Sequence, residues 1–269
     1  MKAEKILFIT QEITPFGPES PMATVCHDFP QAIQDKVKEI RIFTPLWGII
    51  NTRRNNLHEV QRLSGMNLII DDTDHPLIIR VASLQATRMQ VYFIENEDYF
   101  HNRLMTTDAN GVEYSDNDER SIFFALGVLE AVKKQRWCPE IIHCNGWMAA
   151  LVSLYVKNAY KEEPSFRDSK VIISLYDDGF NGSFDANFAK KLLCKEMPGE
   201  VTAEISSQTT YEELAKIAIK YADGVVINSD KVSPALVEYA KELGKAILPQ
   251  QAPEAFAENC YNFYNTLLE

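Results

Sequence analysis

Seven short apolar runs, rich in β-branched and aromatic residues, alternate along the chain with longer amphipathic stretches, and this alternation restricts the fold more than any other feature. The runs Lys5–Thr10, Glu39–Thr44, Pro76–Ser83, Gln90–Ile94, Glu140–Cys144, Lys170–Leu175 and Gly224–Ile227 read as buried strands. The stretches Met22–Val37, Asp116–Lys134, Trp147–Tyr160, Tyr211–Tyr221, Ser233–Leu243 and Pro253–Leu268 read as helices. Strand and helix in turn predict an α/β fold, a mostly parallel sheet with helices on both faces. Between the second and third runs, Leu57–Asp71 carries apolar residues on uneven spacing, which predicts an inserted β-hairpin. No internal repeat or low-complexity tract interrupts the pattern. The break most like a linker is Leu248–Pro253; the helix after it has Phe256, Cys260, Phe263, Tyr264 and Leu267 on one face and should dock on the body or on a partner.

With 269 residues, of which 46% are hydrophobic and 24% charged, the chain can bury a substantial core in one large or two small domains. A net charge of −11 argues against nucleic acid or an anionic membrane as partner, since both require a basic footprint. The five cysteines are odd in number and form no C-x-x-C pair, so they read as buried thiols in a reducing cytoplasm rather than as a disulfide framework or zinc site. The apolar run Ile6–Ile9 is too short for a signal peptide, and no segment approaches a membrane span. The expected location is therefore cytoplasmic.

Four stretches carry a resemblance. "KILFITQEITPF" keeps Glu12 and Pro15 of an S-E-x-x-P opening; "YSDNDER" carries Tyr114, Asp116, Asn117 and Arg120 of a Y-x-D-N-x-x-R; "PEIIHCNGWMAAL" keeps His143 and Trp147 of an H-x-H-D-W; and "IKYADGVVINS" is close to a Y-A-D-x-(I/V)-T-x-V-S. In this order the chain resembles the N-terminal half of bacterial glycogen synthase and plant starch synthase, retaining glucosyltransferases of the GT-B fold. The resemblance implies a single Rossmann-like domain over residues 1–248. The second, donor-binding domain of such enzymes is not expected within these residues, and residues 249–269 are expected to form a linker and a helix that packs back on the first.

The motifs also have structural readings. Asp116 or Asn117 should cap a helix, Trp147 should pack at a helix start, and His143 should end a strand at the sheet's C-terminal edge, where open α/β sheets bind ligands. By the resemblance, the loop after the first strand is K-T-G-G-L-A-D-V, whose lysine and glycine amides meet the donor's phosphates. Those positions here run Pro18, Glu19, Ser20, Pro21, Met22, Ala23, Thr24 and Val25. Two prolines remove amide donors, and no glycine permits close approach. A glutamate about 5 Å from a diphosphate would cost roughly 3 kcal/mol at an effective dielectric near 20. Pro18–Pro21 should therefore form a rigid loop holding no anion at the start of the Met22 helix.

Elsewhere the family's second histidine and its aspartate fall on Asn145 and Gly146, a histidine–asparagine pair falls on Tyr176 and Asp177, and in a third motif Lys216 is kept while an asparagine becomes Glu213. The resemblance leaves Glu12, Tyr114, His143, Asn145, Tyr176 and Asp177 as candidate substrate-binding residues, with no catalytic residue, metal or cofactor expected. It implies a glycosyltransferase-like domain inactive on its own, a pseudoenzyme that binds an α-glucan or a protein; a nucleotide sugar is not expected to bind without a second domain. The alternative is half of a split glucosyltransferase using ADP-glucose or UDP-glucose. A third reading takes Asp177 and Asp178, with His143 and Asn145, as a divalent-metal site; against it, "YDDGFNG" is an ordinary acidic turn.

Overall fold

A computed structural model describes residues 2–85, 87–193 and 197–269. The apolar runs form the strands β1 (Lys5–Thr10), β2 (Glu39–Pro45), β5 (Thr73–Ser83), β6 (Gln90–Glu95), β7 (Ile141–Asn145), β8 (Lys170–Leu175) and β9 (Gly224–Ile227). Three further short strands are β3 (His58–Glu59), β4 (Met66–Ile70) and β10 (Ala246–Leu248). The order across the sheet is β10-β9-β8-β7-β1-β2-β6-β5-β3, with β4 paired to β5. From β10 to β6 every pairing is parallel. Strand order reverses at β1, which lies between β2 and β7, and this switch point opens a crevice at the strands' C-terminal ends. Such strands are covered on both faces, so they read as continuous apolar runs rather than as alternation.

The helices are α1 (Pro21–Ile33), α2 (Asn117–Lys134), α3 (Leu151–Lys157), α4 (Phe188–Lys191), α5 (Gly199–Ala203), α6 (Tyr211–Tyr221), α7 (Pro234–Glu242) and α8 (Pro253–Leu267). Pro21 stands at the first helical position of α1, where its missing N–H costs nothing. Thr210 and Glu213 form a reciprocal capping box that starts α6. The helix expected over Trp147–Tyr160 is a 3₁₀ turn, Trp147–Ala149, followed by α3. Helix α8 lies against α1, where Phe256 and Tyr264 meet Phe29 with ring centroids 5.1 and 5.8 Å apart. It also reaches the start of β1, where Asn265 Oδ1 accepts from the Ala3 amide at 2.9 Å. Gly224 makes its approach possible, because a Cβ there would stand 2.9 Å from Phe263 and Leu267.

Several expectations change. The Leu57–Asp71 segment supplies β3 and β4, but these pair with β5 and not with each other, so β4–β5 is the hairpin. Ala246–Leu248, partly assigned to a linker, is a strand on β9. Cys26, Cys144 and Cys260 are buried, whereas Cys138, in the turn between α2 and β7, is exposed; Cys194 lies outside the described residues. Asp116 does not cap α2 with its side chain. Its carboxylate takes two bonds from Arg103 at 2.6 Å instead.

Candidate functional site

At the switch point a cleft of about 620 Å³ is bounded by the ends of β1, β8 and β9 and by two loops. Glu12, Ser20, Met105, Tyr176, Asp177, Asp178 and Asn228 are among its walls. Its ionisable lining is Glu12, Asp177, Asp178 and Asp230 against Lys231, which is committed to Asp177 at 3.3 Å. The cleft is therefore acidic.

The β1–α1 loop explains what replaces the expected phosphate cradle. Ser20 is the N-cap of α1, and its Oγ accepts from the Ala23 amide at 2.9 Å. The same hydroxyl donates to Glu12 Oε2. A helix N-terminus ordinarily favours an anion; here the protein's own glutamate, relayed through Ser20, takes that place.

Asp178, also on the cleft wall, turns to the start of the 3₁₀ turn Trp147–Ala149. Asp178 Oδ2 accepts from the Trp147 amide at 2.8 Å, and Oδ1 accepts from the Tyr211 hydroxyl at 3.3 Å. Burial pushes the Asp178 carboxyl up to about 6, against the lowering effect of these two donors, with Glu12 adding repulsion. Asp177 points to Lys231, so the adjacent acids serve different partners and do not converge on one point. Among the described residues no group of three or more His, Cys, Asp or Glu could hold a metal ion.

A raised carboxyl pKa means that the folded state holds the proton more tightly than the unfolded chain does. Asp178 is therefore no burden below about pH 4, and its ionisation opposes folding as pH rises through 6. Asp178→Asn retains an acceptor for the Trp147 amide and removes the charge. We expect it to stabilise the protein by about 1–2 kcal/mol at pH 8 and to have little effect at pH 4, by urea unfolding at the two pH values.

Beneath the cleft floor lies a buried polar network. His143 is inside β7 and not at its end, because the strand continues to Asn145. Its ring contacts Tyr264 Oη at 2.5 Å and Ser174 Oγ at 2.6 Å. Burial lowers its pKa to about 3, so the ring is neutral at physiological pH. Tyr176 donates to Asn145 Oδ1 at 3.0 Å, and Asn228 donates to Ser174 Oγ at 3.0 Å. The structure thus gathers His143 and Asn145 under the cleft and leaves Glu12, Tyr176 and Asp177 on its wall, with Tyr176 reaching down to Asn145.

Tyr114 stands apart. Its ring is stacked between the guanidinium groups of Arg103, 4.2 Å from its centroid, and Arg120, 4.8 Å away. Arg120 is fully buried and donates to Tyr99 O at 2.8 Å, Leu104 O at 3.0 Å and Asn117 Oδ1 at 2.7 Å. Asn117 Nδ2 in turn holds Thr106 O at 2.8 Å. The Y-x-D-N-x-x-R residues therefore wind the 99–117 loop around one buried cation, and Met105 and Thr106 of that loop form a wall of the cleft. Glu213 serves the α6 cap, and Lys216 pairs with Glu212 at 2.8 Å. Ser20, Asn228 and Tyr211 were not singled out as site residues; only the T-x-x-E at Thr210–Glu213, which puts Tyr211 at the first turn of α6, could have pointed to one of them.

Comparison with known proteins places this arrangement. Residues 5–246 match the model of the starch synthase catalytic domain. Glycogen synthase of Pelodictyon phaeoclathratiforme is 32% identical over 252 residues, covering 92% of this chain and 51% of the relative. Glycogen synthase of Chlorobaculum tepidum is 34% identical over 235 residues, covering 87% and 47% respectively. The chain thus spans about half the length of the curated relatives it matches. Among solved structures, the catalytic domain of starch synthase IV from Arabidopsis thaliana, bound to ADP and acarbose, superposes with a TM-score of 0.75 at 14% identity, over 93% of this chain and 51% of that one, which bears on the fold alone. Across nearly its whole length, then, the chain belongs to the starch synthase catalytic domain family.

Proposed function

We propose that this glycogen/starch synthase-like glycosyltransferase domain is catalytically defective on its own and acts in the cytoplasm as a binding module for an α-glucan. One observation carries the reading: the cleft wall presents the protein's own carboxylates, with Glu12 held on the Ser20 cap of α1 and Asp178 bonded to the Trp147 amide. A nucleotide diphosphate entering there would meet these charges in place of free amides. Each such repulsion costs roughly 3 kcal/mol at 5 Å and an effective dielectric near 20. A neutral polyhydroxyl chain meets no such barrier. The carboxamide and hydroxyl groups of Gln11, Thr106, Asn228, Ser229 and Gln250 supply hydrogen-bond partners for it.

Calorimetry with ADP, acarbose and maltoheptaose tests this. Maltoheptaose and acarbose should bind with dissociation constants on the order of 1 mM or tighter, and ADP at least a hundredfold more weakly. Transfer of radiolabelled glucose from ADP-glucose or UDP-glucose to glycogen by the purified chain would refute the non-catalytic reading. Failure of both sugars to bind would move the ligand to a protein partner.

A second reading is half of a split glucosyltransferase whose partner supplies the donor contacts. The match of residues 5–246 to the starch synthase catalytic domain supports it. Transfer that is absent with the purified chain and appears on adding fractions of its own cell lysate would establish that reading.

A further inference from the structure

We infer that Tyr264 of α8, through His143 and Ser174, is the positioning residue that fixes the Asn228 carboxamide at the cleft with its carbonyl oxygen left for a ligand hydroxyl. The ligand's class rests on the glucan reading above; the positioning does not.

Hydrogen-bond accounting sets the direction of the chain. Ser174 Oγ has one proton to give and accepts from Asn228 Nδ2 at 3.0 Å. Its other close partner is His143 Nε2 at 2.6 Å, and the opposite ring nitrogen faces Tyr264 Oη at 2.5 Å. Tyr264 and Cys260 are both fully buried and lie four residues apart on one face of α8, which sets the thiol beside the hydroxyl as the acceptor for its proton. Every group is satisfied when Asn228 donates to Ser174, Ser174 donates to Nε2, Nδ1–H donates to Tyr264 and Tyr264 donates to Cys260. His143 is then the Nδ1–H tautomer. With the opposite tautomer, Ser174 receives two protons and its own has no partner within this chain of groups. Both ring nitrogens are sealed in a site 1% exposed, so an unmade bond here has no water to replace it.

At the far end the Asn228 amide is donated to Ser174, while the neighbouring Tyr176 hydroxyl is donated to Asn145. The amide nitrogen is therefore turned into the protein. What remains for the cleft is Oδ1, an acceptor. The chain thus ties a helix at the end of the sequence to the chemical character of a group on the cleft wall, and it gives His143 a role without contact to any ligand.

The test is nitrogen NMR of the imidazole and of the Asn228 side-chain amide, in the wild type, Tyr264→Phe and Ser174→Ala, with maltoheptaose titration in parallel. The wild-type ring should show the Nδ1–H pattern and Asn228 a single, slowly exchanging NH2 pair. In Tyr264→Phe, which keeps the ring packed on Phe29, the pattern should move to Nε2–H and the Asn228 amide should exchange at least tenfold faster. Ser174→Ala should produce the faster amide exchange with the Nδ1–H pattern retained. An Nε2–H ring in the wild type, or an Asn228 amide unchanged in Tyr264→Phe, would overturn the inference. If maltoheptaose fails to bind the wild type while the NMR changes occur, the glucan reading falls and the positioning stands; if it binds, Tyr264→Phe should weaken it about fivefold.

Discussion

Gly146→Asp, which restores the residue type that the H-x-H-D-W pattern carries at this position, is expected to destabilise the protein by about 4 kcal/mol. Gly146 has φ +86° and ψ 155°, a backbone conformation open only to glycine. Forcing another residue into it costs about 1–3 kcal/mol. A Cβ would also stand 2.7 Å from Gln11 Cβ and 3.0 Å from the Gln11 Oε1 and Met22 Sδ atoms, and overpacking of this kind adds about 1–3 kcal/mol. Gln11 cannot easily withdraw, since its Oε1 accepts from the Met148 amide at 3.1 Å and its carbonyl accepts from Trp47 Nε1 at 2.8 Å. The new carboxylate would lie next to Asp178 on the Trp147 amide. Urea unfolding of Gly146→Asp beside Gly146→Ala separates charge from backbone, with alanine losing about 3 kcal/mol. A loss below about 1 kcal/mol in both would show that the backbone at the end of β7 is not confined as described.

Asn145 and Gly146 replace two residues of one motif, and in the sequence they look like independent losses. In the fold they are parts of one local arrangement: Gly146 lets the chain bend against Gln11, Asn145 accepts from Tyr176, and the start of the 3₁₀ turn receives Asp178 from the loop after β8. Changing one position alone would therefore not restore the arrangement that the H-x-H-D-W pattern implies. The β1–α1 loop behaves alike, where Ser20 and Glu12 close the amide end that a lysine and glycines would have left open.

The strands were legible because β1, β7, β8 and β9 are buried on both faces and so appear as uninterrupted apolar runs. Strand β10 was missed because three residues with intermediate exposure leave no such run. The site was legible only as a set of positions. Sequence order places Glu12, Asn145, Tyr176 and Asp177 at strand ends, and strand ends at a switch point meet. It could not tell His143, two residues short of the edge, from Asn145 at the edge. Nor could it assign Tyr114, whose motif spacing is satisfied equally by a ligand contact and by a ring between two arginines. Partners such as Tyr264, 121 residues from His143, are set by the docking of α8, for which the sequence supplies a face but no address.

The largest loss is expected at that buried arginine. Arg120→Met keeps much of the side-chain volume and the apolar stem but removes the side chain bonded at once to Tyr99 O, Leu104 O and Asn117 Oδ1. Each acceptor stranded in the interior costs about 1–3 kcal/mol. The stacking of the guanidinium on Trp47, Phe100 and Tyr114, with centroids 5.2, 5.5 and 4.8 Å away, is lost with it. Some of the loss is offset, because burial and then the neighbouring Arg103 already lower the pKa of Arg120 to about 9, a sign that holding this cation inside is itself costly. The net expectation is a destabilisation of about 5 kcal/mol, concentrated in the 99–117 loop. Hydrogen exchange should accelerate first at Leu104 and Tyr114, whose amides bond to Tyr114 Oη and Thr106 O, before the sheet opens. Because Met105 and Thr106 ride on this loop, maltoheptaose affinity should fall further than global stability alone would dictate. Arg120→Lys, which restores the charge with a single point of donation, should recover less than half of the stability. Uniform exchange across the whole domain in Arg120→Met would mean that the arginine supports the core at large and does not specifically hold the wall of the cleft.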